Sequence, residues 1–470
     1  MSPRRRTASA SVATAAVIAL CAVVGVAPPA NAEPCEGAAA QAQPLPGQAF
    51  QIPSPSGISP FNRPIGHKPT GANDAAPTPK LGLLPALLKA LTPPAAPVQQ
   101  QAAVVPSPRP GGTAAQPSET APAPVAAPAP VSTAPPGTSL VGWVTGPDSP
   151  NDTIKRFAIT GTDLGIMWDN GDPANNQVLM AFGDTNGYCG IPGKQWRYNA
   201  LFRSQDRSLA KTVAVPNGVV ANKYSGSPVW RPGISKQVVN TIGQAPQETG
   251  IIPTAGIAAG GKQYMNFMSI KSWDANGAWT TNYSAIAMSP DNGETWGVYP
   301  GTIRTPGAGN ENFQMGAFLK GGPGDQYLYS FGTPNGRGGS AYLARVAPSL
   351  IPDLTKYEYW NADGGAWVPG NPAAATPVIP GPVGEMSAQY NTYLKQYLAL
   401  YCNGANDVVM RTSPTPQGPW SPEQMLVSHM EFPGGIYAPY LHPWSTGKEL
   451  YYNLSLWSAY NVMLLHTVLP

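Results

Sequence analysis

The feature that most constrains this chain is a strand pattern that returns five times within residues 138–470. In each unit a strand opens on a charged or amide pair: Asn176-Gln177, Lys262-Gln263, Asp325-Gln326, Lys395-Gln396 and Lys448-Glu449. A small-residue strand precedes each one, around Gly165, Gly256, Gly316, Ser387 and Ala438. A further apolar strand follows, over 198–203, 283–288, 340–345, 407–411 and 460–466. Short apolar bursts separated by Gly- and Asn-rich turns read as consecutive antiparallel strands. One small sheet cannot bury both of its faces alone, so similar units in series are expected to pack radially. The expected fold is therefore all-β, a single five-bladed β-propeller over 138–470. Two Greek-key sheets would accommodate five similar units poorly. The last unit ends at Pro470 without an outer strand, whereas 138–145 (TSLVGWVT) is a strand candidate with no partner nearby. Its expected place is at the edge of the fifth blade, closing the ring.

The first 137 residues have a different character. Arg4, Arg5 and Arg6, the apolar run 12–26 and the small-residue site Ala30-Asn31-Ala32 mark residues 1–32 as a signal peptide. The expectation is a secreted or cell-wall-associated protein with no membrane span after processing. Residues 33–137 are an Ala/Pro/Gln-rich, low-complexity linker, too poor in apolar groups to offset the entropy of ordering. One island within it, 81–91 (LGLLPALLKAL), has the spacing of a short amphipathic helix.

The whole chain has 28 Lys+Arg and 25 Asp+Glu, and the leader holds three arginines and no acid. Its removal leaves the charges balanced. With no basic stripe, no nucleic-acid partner is expected; a neutral surface rich in Trp, Tyr, Asn and Gln suits an uncharged polar ligand. The histidines lack ligand-like spacing, so no metal or other cofactor is expected, and the chain is read as a monomer. Cys189 and Cys402 are the only cysteines inside 138–470. They either form a disulfide or are reduced, with Cys35 free or pairing elsewhere.

One turn carries a recognisable device. Ser289, Asp291, Gly293, Thr295 and Trp296 fall in the spacing Ser-x-Asp-x-Gly-x-Thr-Trp, which resembles the Asp box of sialidase-like propellers. Asn292-Gly293 suits the positive φ angles of a tight turn, and Asp291 suits local backbone hydrogen bonds. That signal concerns fold rather than chemistry.

Several strings resemble the actinobacterial DUF4185 domain family. They are Thr162-Asp163-Leu164-Gly165, Phe182-Gly183-Asp184-Thr185, Trp196-Arg197-x-Asn199, the strand at 342–346, Gly384-Glu385-Met386-Ser387 with Tyr390-Asn391, and Tyr460-Asn461. The resemblance spans about 140–470. It implies a five-bladed propeller and kinship with endo-acting D-arabinofuranosidases that cut the D-arabinan of mycobacterial arabinogalactan and lipoarabinomannan. It also implies that Asp163 and Asp184 are the catalytic pair. Glycosidic cleavage needs one protonated carboxyl for the leaving oxygen and one carboxylate to activate water or attack carbon. Glu385 is a third candidate, as auxiliary acid or hydroxyl ligand. Arg197, Asn199, Tyr390, Asn391 and Tyr393 are candidate substrate contacts, and Trp230, Trp273 and Trp279 are candidate sugar-stacking residues. A non-catalytic wall-glycan binder and an extracellular scaffold are the competing readings.

Overall fold

The computed structural model describes residue 35 and residues 37–44, 137–191, 195–274 and 278–470. The expected leader, the 81–91 helix and most of the 33–137 linker lie outside the described residues. Among the described residues, no helix is long and apolar enough to cross a membrane.

Five antiparallel sheets stand around one axis, with the closing strand β1 (Gly137–Trp143) supplied from the N-terminal side. Blade 1 comprises β2 (Gly161–Asp169), β3 (Val178–Asn186) and β4 (Ala200–Ser204). A small ribbon, β5 (Val229–Arg231) with β6 (Ile234–Ser235), follows it. Blade 2 is β7 (Gly250–Ala259), β8 (Lys262–Trp273), β9 (Trp279–Ser289) and β10 (Gly297–Val298). Blade 3 has five strands: β11 (Met315–Lys320), β12 (Leu328–Thr333), β13 (Tyr342–Val346), β14 (Glu358–Asn361) and β15 (Ala366–Pro369). Blade 4 is β16 (Met386–Asn391), β17 (Gln396–Cys402), β18 (Val408–Ser413) and β19 (Gln424–Val427). Blade 5 holds β20 (Ile436–Leu441), β21 (Glu449–Leu456) and β22 (Asn461–Val468), with β1 as its outermost strand.

Side chains alternate across a strand, so each middle strand serves two neighbours. On β17, Leu398, Leu400 and Cys402 pack toward blade 5, while Tyr397, Ala399 and Tyr401 pack toward blade 3. On β3, Leu179 and Ala181 join the seam with blade 2, and Val178, Met180 and Phe182 join the seam with blade 5. The core is thus a ring of apolar seams, and no blade buries its faces without both neighbours. The ring closes where β1 pairs with β22, from Gly137 opposite Val468 to Trp143 opposite Met463.

The 289–296 turn joins β9 to β10. Asp291 accepts bonds from Ser289 Oγ, Thr295 N and Thr295 Oγ1, and Ser289 Oγ accepts from Gly293 N. Asn292 and Gly293 both have positive φ. A Cβ at Gly293 would lie 2.4 Å from Leu201 Cδ2 of blade 1, so the turn also fastens two blades together. Trp296 Nε1 donates to Gly293 O.

The disulfide corrects the sequence reading. Cys189 does not pair with Cys402; it is bonded to Cys35. Cys402 lies on β17, buried in the seam between blades 4 and 5, and is free. Cys189 lies in the loop after β3 of blade 1, on a different blade. The bond straps helix α1 (Gly37–Gln41) onto blade 1, where Ala39 packs with Ile154, Ala158, Tyr188 and Ile234. Ile154 belongs to helix α2 (Thr153–Phe157).

Candidate active site

The inner strands β2, β7, β11, β16 and β20 all start at one end of the axis, where a narrow cleft opens. Asp163 reaches it through a break in β2. The β2–β3 register shifts on both sides of Leu164, and Leu164 and Gly165 have φ of 70° and 74°. A bulge of this kind inserts an extra residue and re-aims its neighbours. Leu164 is uncomfortable there, as any residue with a Cβ is, and its N–H bonds to Ser455 Oγ at 2.9 Å.

The Asp163 carboxyl lies over Gly183, the residue before Asp184. A Cβ at 183 would come within 2.4 Å of Asp163 Oδ1, so glycine is required there for close approach rather than for a special φ. Asp163 Oδ2 accepts from Tyr437 Oη at 3.0 Å. Oδ1 is buried with no hydrogen-bond partner among the described residues. Asp184 itself is buried on β3 and accepts from Trp196 Nε1 at 2.9 Å.

Glu385 and Arg337 complete the charged floor. They form a bidentate pair, Nε to Oε2 at 2.9 Å and Nη2 to Oε1 at 2.6 Å. The Arg337 guanidinium also sits 5.0 Å from the Trp279 ring and 5.1 Å from the Tyr437 ring. Burial works against its charge, but the Glu385 carboxylate outweighs that and holds Arg337 protonated. Asp163 responds in the opposite sense. Burial, then the neighbouring charges of Asp184 and Glu385, push its carboxyl well above the usual range, against the smaller pull of the Tyr437 hydroxyl. The site therefore holds a carboxyl biased toward its protonated form beside a second, buried carboxyl group.

Aromatic side chains wall the cleft. Trp273, Trp279 and Trp457 line it with Tyr440. The Nε1 atoms of all three tryptophans are buried without a hydrogen-bond partner among the described residues. Buried donors rarely stay unpaired, and an oxygen-rich ligand in the cleft would satisfy them.

Sequence reasoning put Trp273, Trp279, Asp163, Asp184 and Glu385 forward, and the structure brings all five to this cleft. Others lie elsewhere. Arg197 is buried among backbone carbonyls, donating to Ser235 O at 2.8 Å and Ala158 O at 2.5 Å. Burial lowers its pKa to about 9. Asn199 is wholly engaged with the backbone of Val238, Val239 and Ile251. Arg197 ties the end of the 153–157 helix to Ser235, and Asn199 braces the irregular segment after blade 1, because these stretches lack a full sheet ladder to satisfy their backbone groups. Tyr390, Asn391 and Tyr393 sit at the other end of β16, away from the cleft. Asn391 donates to Gly447 O and Tyr393 to Pro470 O. Trp230 packs beside the α1 strap.

Arg337, Tyr437, Tyr440 and Trp457 were missed. Arg337 lies in the Gly-rich loop between β12 and β13, and its sequence neighbours mark only a turn. The neighbouring Tyr437-Ala438 looked like a small-residue inner strand, which was its only signal. Among the described residues no group of three His, Cys, Asp or Glu side chains is arranged to hold a metal ion.

Comparison with known proteins adds four findings. The profile of a family described as a domain of unknown function, DUF4185, matches residues 148–466. Notoamide biosynthesis cluster protein J' of Aspergillus versicolor is 26% identical over 324 residues, covering 65% of this chain and 83% of that protein. Among solved structures, a Bacteroides ovatus ATCC 8483 protein aligns with TM-score 0.44 at 14% identity, covering 67% of this chain and 88% of its own. An exo-β-1,3-galactanase from Phanerochaete chrysosporium aligns with TM-score 0.41 at 8% identity, covering 70% and 63%.

Proposed function

Because the chain belongs to the DUF4185 family, we propose that it is an exported glycoside hydrolase that cuts within D-arabinan, of the kind found in arabinogalactan or lipoarabinomannan. The observation that carries this reading is the Asp163–Asp184 pair at the axial cleft, with Asp163 biased toward its protonated form. Asp163 is the general acid: burial and like charge bias it toward the protonated form that the departing glycosidic oxygen needs. Asp184, oriented by Trp196, is the second carboxylate, activating water or attacking the anomeric carbon. Glu385, locked to Arg337, adds negative charge near Asp163. The unpaired indole N–H groups of Trp279 and Trp457 suit ring and hydroxyl oxygens. The choice of D-arabinan rests on the motif resemblance around both aspartates.

A second reading is a glycan-binding propeller without turnover. The unpaired indole donors of Trp273, Trp279 and Trp457 among the described residues serve it, because they hold a glycan whether or not it is cut. Incubation of the purified protein with D-arabinan separates the two. Release of oligosaccharide fragments supports the hydrolase, whereas retention of intact polymer in a pull-down without fragments supports the binder.

A further inference from the structure

The axial channel has a second mouth, at the ends rather than the starts of the inner strands. Thr254 and Tyr440 face both ends and form the partition between them. Beyond the partition the space widens to about 330 Å³, within the size range of small-molecule sites (roughly 300–1,000 Å³). Strands β2, β7, β11, β16 and β20 all contribute to it.

Its walls combine fixed aromatic faces with polar groups. Trp444 is held by its indole N–H on Asp169 and by the Arg207 guanidinium, 4.1 Å from the ring centroid. Tyr390 packs edge-on against Tyr397 at 5.2 Å, and Gly322 leaves room for its ring: a Cβ there would lie 2.9 Å from Tyr390 Cδ2. Gln389 spends its Nε2 on Ser445 O at 2.7 Å, which turns the amide so that its oxygen is the remaining acceptor. Lys320 stands exposed at the rim, across from Asp169. Asp169 is committed to Gly171 N, Asn176 Nδ2 and the Trp444 indole.

One positive and one negative charge leave the recess without a strong preference for an ion. Flat aromatic surface next to a rigid amide and an ammonium group matches a molecule with an apolar face and a hydroxyl edge. We infer that the far mouth of the channel is a second carbohydrate-binding site, taking a neutral sugar unit against Trp444, Tyr390 and Gln389. It holds polymer on the face opposite the carboxylate cleft; the one carboxylate among its described lining residues, Asp169, already accepts three hydrogen bonds. The identification of its ligand as a sugar rests on the functional reading above; the recess itself does not.

The test is a calorimetric titration of the Asp163→Asn, Asp184→Asn double variant, which prevents turnover during the measurement. Short arabino-oligosaccharides are the main probe, with xylo- and galacto-oligosaccharides in parallel arms. Two binding events per chain are expected with at least one probe. Adding Tyr390→Ala or Gln389→Ala should weaken only one of them, by about tenfold, the loss of one contact. Melting curves identify variants that fail to fold, and Gln389→Ala decides if Tyr390→Ala does. No binding with any probe, or binding events that both folded variants leave unchanged, overturns the inference; an event weakened by Gln389→Ala supports it whether or not the cleft binds as well. Cleavage of arabinan by the intact protein bears on the first reading alone, so the two can fail independently.

Discussion

Gly183 lies directly against the carboxyl of Asp163, with a Cβ position only 2.4 Å from Oδ1. This contact couples the strand that carries one acid to the side chain of the other. Gly183→Ala should displace Asp163 and destabilise the fold by about 1–3 kcal/mol, the usual range for overpacking. Gly297→Ala, where no atom lies within 4 Å of the added carbon, should be nearly neutral. Turnover and thermal melting of the two variants check this pair of outcomes.

The raised pKa of Asp163 has a definite sign in both stability and rate. Its folded value lies above the unfolded one, about 3.9, so between those values the native state binds more protons than the unfolded chain. Stability contributed by this group is present below the unfolded pKa and falls as pH rises through the folded pKa. Asp163→Asn should remove that slope and be relatively more stable at high pH. Turnover of the intact protein should decline as pH rises through the same folded value, because the acid is then spent. Melting against pH, with and without the substitution, together with a pH–rate profile, tests both signs.

Trp279 offers a cleaner separation of binding from folding. Its indole N–H is buried with no partner among the described residues, so Trp279→Phe removes a donor that these residues do not engage. Stability should change by less than about 1 kcal/mol, since the lost packing under Arg337 is offset by removal of the unpaired group. Oligosaccharide affinity should nevertheless fall by about tenfold if the ligand supplies the missing acceptor. Equal affinity would remove Trp279 from the ligand contacts.

The Cys35–Cys189 bond joins the α1 strap to the loop between Asp184 and Trp196. Peptide mapping without reductant should recover Cys35 and Cys189 as one linked pair. Cys402, buried within a seam, should react with alkylating reagents only after unfolding. Cys35→Ser should lower stability by about 2–4 kcal/mol, the typical worth of a native disulfide. Alkylation of Cys402 in the folded protein would contradict its placement.

Much of the ring was legible because each blade writes its own local pattern: a small-residue inner strand, a charged opening, and two apolar strands. Even the closure could be read, since the strand at 460–466 had no outer partner and 138–145 had none either. What was not legible came from convergence over long separations. Arg337 meets Glu385 from another blade, and Tyr437 meets Asp163 across the closure of the ring. Nothing local distinguishes such residues from ordinary turn or core positions. Arg197 and Asn199 misled for the opposite reason. Their polar motif looked like a ligand site, while its physical task is to satisfy the backbone of irregular segments. The cysteines could not be paired because sequence does not say which loops share a blade.

The central claim is that Asp163 and Asp184 serve one transition state. Its most direct test is the rate of D-arabinan cleavage by the intact protein, Asp163→Asn, Asp184→Asn and the double variant, with melting curves as folding controls. Each single substitution should lower turnover by about a hundredfold or more, and the double variant should lose far less than the two losses combined. Undiminished release of arabinan fragments by both folded single variants would contradict the assignment.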